Sequence, residues 1–487
     1  MSSLLRSILS IFSGKVIGIF IGLIFTPILV RIISQAQYGL YASVLAGFSI
    51  VTLLSKGGIF DATRKIVAEY ADNAEEVSSV ISVSLLLSTT YGLFTTFFVF
   101  LSIHMGLIPS IYVPYAWALI SVILFGNVFT TVRGTLYGLQ RESTGEALQI
   151  ARQLIFTISA LMLAYVGYDV IGVFIGYALS FVFLGIVGLI TLSKYLIYKL
   201  PDKCEITMYV RKVATFGGYQ LVGGLSATLL YKSDILLVEF FRGQTATALY
   251  QSAIVPAEMI WFVPSAIQLA FLQHTTNLWT DGKIDEINKN LQTGLKYAVL
   301  SLTLFGVGIF VLADPFLSIY FGAGYVGAST TLRVLIFGTF FFGVTRVVVP
   351  VLQATGRVRQ TELITVGALF INILLNVILI PRYGIIGAGF GTGISYISIF
   401  VGNIILWERS PFKLVSLEWI GKLVLVQGLF SIIFLIIVSH SDFSPLISLL
   451  IFSPVGLVMF LCINILFGYV PIQPIKTYLD SIVRYRD

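Results

Sequence analysis

The stretch LLYKSDILLV, residues 229 to 238, places a lysine and an aspartate two positions apart in an apolar run. Side chains two apart on a helix point to nearly opposite faces, so Lys232 and Asp234 do not neutralise each other. Lys15, Lys56, Glu258, Arg333 and Arg346 interrupt other apolar runs in the same way. An ionisable group near a bilayer centre costs at least about 2.5 kcal/mol, so each such residue calls for water, a partner or a ligand. Lysines and arginines in a low-dielectric cavity hold phosphate or carboxylate oxygens, whereas carboxylates there hold cations or protons.

Spacing divides these residues into groups. Lys232 continues a face with Thr228, Gly224 and Gln220 at four-residue intervals, a small, polar strip suited to a cavity wall. Arg346 lies about a third of the way into its span, and Lys56 near one end of another. Glu258 is the deepest, about thirteen residues or roughly 20 Å of helix from the end of its run. Pro256 and Pro264 flank it in VPAEMIWFVP, where a kink would free backbone carbonyls beside the carboxylate. Each group also has a plainer reading. Lys232 and Asp234 could snorkel to an interface, Lys15 and Arg333 read as interfacial, and Glu258 could be a structural partner for a cation. Asp61 and Arg64 read either as a local helix-end pair or, for Asp61, as a coupling carboxylate. His104, His274 and His440 are scattered, and no metal-ligand spacing occurs.

The elements that must carry these groups follow from composition. Of 487 residues, 57% are hydrophobic and only 11% charged, against about 25% charged in soluble domains. Continuous apolar runs rich in Leu, Ile, Phe and Gly exclude an outer-membrane barrel and predict an all-α polytopic membrane protein. About fourteen spans are expected between residues 12 and 468. The N-terminal run lacks a small-residue cleavage site and is expected to remain as a membrane helix. Cys204 and Cys462 are expected to lie too far apart to bridge.

Basic residues set the orientation. Alternate loops hold Arg64 and Lys65; Arg133, Arg141 and Arg152; Lys194, Lys199, Lys203, Arg211 and Lys212; Lys283, Lys289 and Lys296; Arg357 and Arg359; Arg409, Lys413 and Lys422; and the tail residues Lys476, Arg484 and Arg486. The opposite loops hold only Arg31, Arg242 and Arg382. Both termini are therefore predicted to be cytoplasmic, in a multi-pass plasma-membrane protein. The formal charge of +7 is this bias, not a nucleic-acid footprint. No connection outside the membrane exceeds roughly twenty residues, too few for a soluble catalytic domain of about 50 or more.

The chain also repeats itself. SQAQYGLYAS from Ser34 pairs with GQTATALYQS from Gly243 at an offset of 209, and YDVIGVFIGYALS from Tyr168 pairs with YGIIGAGFGTGIS from Tyr383 at an offset of 215. A unit of six spans repeated in parallel predicts two six-helix lobes, roughly residues 1–200 and 201–410, with two further helices and a tail in 411–487. Two such lobes around a cavity suit alternating access.

The order of several segments resembles one family. FTPILVRIISQAQYGLY, GGIFDATRKIVAEY, SDILLVEFFRGQTATALYQSA, DPFLSIYFGAGYVGASTTLRVL and LQATGRVRQTELITVGALFINILLNVILIPRYGIIGAGFGTGIS are similar to the Wzx-type polysaccharide-biosynthesis flippases. These form part of the multidrug/oligosaccharidyl-lipid/polysaccharide (MOP) superfamily. The resemblance implies a MATE-like fold and translocation of a polyprenyl- or dolichyl-pyrophosphate oligosaccharide from the cytoplasmic to the outer leaflet, for surface glycan assembly. It implies transport without an enzyme's cofactor, by a monomer, beside glycan-assembly proteins. Lys232, Arg346 and Lys56 would then hold the pyrophosphate. Gln220, Thr228, Asn372 and Asn376 would face the sugars, or, for the asparagines, serve packing. Glu258, Asp234 and Asp61 would couple protons or sodium, or pair with the cations. Within the superfamily, a multidrug exporter would use acids in the first lobe, yet the first span carries only Lys15 and Arg31. Peptidoglycan-precursor flippases end that span with an Arg-Asp pair, and LVRIISQ lacks the Asp. A membrane glycan polymerase or ligase would present a large outer loop, which is missing.

Overall fold

The computed structural model describes residues 3–196, 202–413, 416–441 and 443–471. Lys199, the tail cations Lys476, Arg484 and Arg486, and the side chain of Cys204 lie outside the described residues. Every regular element among the described residues is helical, and eleven segments are long and apolar enough to cross a membrane. Three of them, Glu142–Tyr195, Glu205–Met259 and Val358–Glu408, exceed fifty residues. Fifty residues of straight helix would span about 75 Å, more than twice the hydrocarbon thickness. Each is accordingly broken by residues of positive φ, at Gly167 and Asp169, at Gly243 and at Gly384.

The chain forms two compact units, Met1–Ala248 and Leu249–Asp487. The first contains α1 (Ser3–Ile32), α2 (Gln35–Lys56), α3 (Ile59–Glu69), α4 (Ala74–His104), α5 (Val113–Gly138), α6 (Glu142–Leu163), α7 (Asp169–Leu192) and most of α8 (Lys203–Met259). Local chemistry sets several boundaries. Ser34 and Gln37 form a reciprocal capping box at the start of α2, Asn73 caps α4, and Gly57 and Gly58 stop α2 in the left-handed region. Apolar faces of α3, α4 and α5 meet in one core built on Ile66, Val80, Ile81 and Leu136, which Tyr209 of α8 joins.

The first part of α8 packs on the helices that precede it. Lys212 Nζ donates to Tyr70 Oη at 2.5 Å, and Tyr112 Oη donates to Glu239 Oε1 at 3.0 Å. The bare backbone of Gly58 lies against Gly217, where an added Cβ would come within 2.1 Å of the Gly217 carbonyl oxygen.

The second unit holds the end of α8, then α9 (Phe262–Thr280), α10 (Ile284–Val311), α11 (Ala313–Tyr320), α12 (Ser329–Ala354), α13 (Val358–Glu408), α14 (Leu417–Ser439) and α15 (Pro445–Leu466). Its core joins Leu291 and Ala298 of α10 to Val347 and Val351 of α12 and to Trp407 of α13. Phe430 and Phe434 of α14 pack with Phe452 and Phe460 of α15 beside α10. The kink expected between Pro256 and Pro264 is the junction between α8 and α9 at residues 260–261.

The sequence repeat reappears in backbone geometry. Asp169 has φ 47° and ψ −137°, and Gly384, 215 positions later, has φ 59° and ψ −138°. Both reverse the chain in the region of backbone space that glycine dominates. The second copy has glycine there and the first an aspartate. Asp169→Gly is therefore expected to raise stability by about 1 kcal/mol, relief of strain outweighing the lost helix-start charge. A thermal melt of the detergent-solubilised protein checks this; a lower midpoint would show that the carboxylate contributes more than its backbone strain costs.

Candidate cationic site

Three cations converge in the first unit. Lys56 ends α2, Arg133 lies inside α5, and Arg152 lies ten residues into α6. Each is within coulombic reach of the other two. Lys56 is held by its neighbour: Ser55 Oγ donates to Asn127 Oδ1 at 2.9 Å, while Asn127 Nδ2 donates to the carbonyls of Ser55 and Ser88 at 3.0 Å. Asn127 is 1% exposed, so this network ties the end of α2 and the middle of α4 to α5 without competing water.

The two arginines are held differently. Arg133 Nη2 donates to Glu146 Oε1 at 2.8 Å, and its guanidinium lies 5.6 Å from the ring centres of Phe60 and Tyr137. Arg152 is 8% exposed and stacks on Phe181 at 4.6 Å, with Tyr177 at 5.8 Å on the same α7. Its Nε donates to Gln149 at 3.4 Å, and its buried Nη1 has no hydrogen-bond partner among the described residues. A guanidinium cannot shed its proton and become neutral, so an open buried donor on it is costly unless an anion completes it. Of the three positive groups only Arg133 is paired with a carboxylate, Glu146, a surplus that suits a polyanion.

Beside this cluster α8 lies along α2. Gly224 of α8 lies over Leu53 of α2, one turn before Lys56. The Gln220, Gly224, Thr228 and Lys232 strip shares this helix, with Gln220 exposed and Thr228 and Lys232 half-buried. Gly58 against Gly217 fixes one end of this contact. At the other end, Gly39 packs on the backbone of Gln244, where a Cβ would come within 1.8 Å of the carbonyl oxygen. Gly39 and Gly58 are 19 residues apart in sequence, roughly 28 Å as helix and close to the thickness of the hydrocarbon core.

The second unit has an arginine of the same kind. Arg346 lies 4.6 Å from the Trp261 ring and 5.1 Å from Phe342, and its Nη1 donates to Gln268 Oε1 at 3.0 Å. Trp261 in turn donates from Nε1 to the Thr339 carbonyl at 2.7 Å. Arg133 with Leu139 and Gln140 recurs as Arg346 with Leu352 and Gln353, all at an offset of 213. Both arginines rest on an aromatic residue beside a helix junction, Phe60 after α2 and Trp261 after α8.

The other nominated residues are placed as follows. Asp234 is fully buried, and its carboxylate accepts from the Ile235 amide at 2.9 Å. Glu258 is half-buried one turn before the junction of α8 and α9, and its carbonyl accepts from the Trp261 amide. Asp61 sits half-buried in the first turn of α3 with Arg64 within coulombic reach, as a helix-end pair requires. Asn372 and Asn376 are fully buried; Asn376 Nδ2 donates to Asn372 Oδ1 at 3.1 Å, and Asn372 reaches Thr392 at 3.4 Å. Both are packed inside α13, where Gly391 lets the two halves of that helix approach at Asn376. Lys15 is exposed, and Arg333 forms a half-exposed pair with Asp314.

Arg133 and Arg152 were assigned to loops by the topology count and are absent from the nominated set. Both lie in helices, because α6 starts at Glu142, several residues before the purely apolar run. Glu146, Gln149, Arg152 and Gln153 at three- and four-residue spacing are the signal that reveals the polar face.

Comparison with known proteins identifies the family and the fold. A profile of the family described as "Polysaccharide biosynthesis protein" matches residues 4–269, and one described as "MatE" matches residues 221–378. The "Probable flippase AglR" of Haloferax volcanii is 22% identical over 476 residues, covering 94% of each chain. Among solved structures, "Lipid II flippase MurJ, inward closed conformation" superposes with a TM-score of 0.72 at 16% identity, over 95% of this chain and 98% of that one. An inward-facing MATE transporter of the MOP superfamily gives a TM-score of 0.65 at 14% identity, over 80% and 94%. The chain belongs to the polysaccharide biosynthesis protein family and has the fold of the MOP transporters.

Proposed function

We propose that this transporter is a flippase that carries a polyprenyl- or dolichyl-diphosphate oligosaccharide from the cytoplasmic to the outer leaflet of the plasma membrane. The observation that carries the reading is the triad of Lys56, Arg133 and Arg152, which faces one carboxylate and leaves a buried guanidinium donor open. A diphosphate brings two fixed charges and several acceptor oxygens, which match these donors. The polar strip from Gln220 to Lys232 would accompany the sugars, and the lipid tail would stay outside the bundle. Arg346 supplies the corresponding cation in the second lobe.

Counting each of the three broken segments as two crossings returns fourteen, arranged as two six-helix lobes with α14 and α15 added and both termini cytoplasmic. The chain acts as a monomer, with proton or sodium coupling through its intramembrane carboxylates. The glycan-flippase name of the Haloferax relative supports the substrate class. The multidrug-exporter reading is disfavoured by the positive surplus, since a cationic drug would be repelled by the triad.

Deleting the gene in its host and probing spheroplasts with a membrane-impermeant glycosidase tests the proposal. Completed lipid-linked glycan should accumulate on the cytoplasmic leaflet. Normal outer glycan together with new sensitivity to cationic dyes would favour the exporter.

A further inference from the structure

Glu146 is the carboxylate that the flippase reading leaves without a role. It is 6% exposed, and its Oε1 accepts from Arg133 at 2.8 Å and from the Tyr137 hydroxyl. Its Oε2 lies against the bare backbone of Gly14 on α1, where a Cβ would approach to 2.1 Å. Its partner Arg133 is within coulombic reach of Lys56 and Arg152; Glu142 precedes it by one turn on α6, and Lys15, which follows Gly14 on α1, is exposed.

Building on the diphosphate reading above, we propose that Glu146 is a resident competitor for the substrate and the site at which loading takes up a proton. In the empty site the carboxylate occupies Arg133 and offsets part of the triad's charge. An arriving diphosphate needs the same guanidinium, because Lys56 and Arg152 supply only part of the donor set for two phosphates. Once Arg133 turns to the phosphates, Glu146 is a buried carboxylate facing two further negative charges without its partner. Desolvation and like-charge repulsion then both favour its neutral form. The proton comes from cytoplasmic water near the start of α6, and Tyr137 keeps the neutral carboxyl oriented. Loss of that proton would restore the pair of Glu146 with Arg133 and expel the diphosphate, so substrate release is linked to deprotonation.

The test uses the full chain in nanodiscs and farnesyl-diphospho-N-acetylglucosamine, a diphosphate diester whose own phosphates do not titrate near neutrality. Calorimetry in buffers of different ionisation enthalpy counts the protons that accompany binding. The wild type is expected to take up about one proton per ligand and to bind more weakly as pH rises. Glu146→Gln preserves shape and hydrogen bonding to Tyr137; it should bind about tenfold tighter at pH 8, take up no proton and lose the pH dependence. Binding by the wild type without proton uptake, or equal uptake by Glu146→Gln, would overturn the inference and leave the diphosphate reading intact. No binding by either protein would overturn both.

Discussion

Arg152→Ala is expected to abolish glycan export while leaving the protein folded and no less stable. Export should fall by about 100-fold or more, because two or three charge-assisted hydrogen bonds to phosphate, each contributing about 1.5 to 3 kcal/mol, are lost together. Stability should move the other way. In the empty protein the guanidinium is 8% exposed with an open buried donor, so its removal relieves a desolvation cost at the expense of stacking on Phe181. Arg152→Lys should recover little export, since an ammonium has neither the planar face for Phe181 nor the fork for two phosphates. Complementation of the deletion strain measures export, and a thermal melt measures stability. A mutant that exports normally would remove Arg152 from the site, and one that unfolds would make the residue structural.

Gly58→Val is expected to have the largest structural effect. The residue has φ 70°, where a β-branched side chain is strained, and its Cβ would lie 2.1 Å from the Gly217 oxygen. Strain and overlap together should cost about 3 kcal/mol or more, or force α8 away from the junction of α2 and α3. Either result stops transport, the first by unfolding and the second by holding α8 apart from α2 at this contact. Gly217→Ala, whose Cβ meets the Gly57 carbonyl at 2.5 Å, should act in the same direction more mildly. Crosslinking between cysteines placed near the Gly58–Gly217 and Gly39–Gln244 contacts, read with the melt, separates unfolding from helix separation. Unchanged transport and stability in Gly58→Val would show that the close approach is dispensable.

Much of this organisation was legible in the residues. Low charge and continuous apolar runs predicted helices in a membrane, because a helix satisfies its own backbone in hydrocarbon and the runs lack the alternation of barrel strands. The tyrosines at 168 and 383 located a repeat whose turns share φ and ψ within 12° and 1°. Lys56 was nominated, but its company was not. Arg133 and Arg152 sit near helix ends that are rich in Lys and Arg, so hydropathy alone assigned them to loops, although each faces the inside of the bundle. Only packing distinguishes a snorkelling arginine from one stacked beneath Phe181. A repeat shows which helices correspond, but not that α8 packs through Gly217 and Tyr209 on the helices before it. Asn372 and Asn376 carry polar groups that suit a cavity as well as a buried contact, and the glycines of the facing half of α13 decided for the contact.

The central claim is that the cationic cluster moves a lipid diphosphate across the membrane. The most direct measurement reconstitutes the purified chain in liposomes with a fluorescent lipid-diphosphate oligosaccharide and follows its transfer between leaflets with a membrane-impermeant quencher. Transfer by the wild type that is lost in Lys56→Ala and Arg152→Ala is the predicted result. Equal transfer by wild type and both mutants, or none by the wild type while a cationic dye is transported, would contradict it.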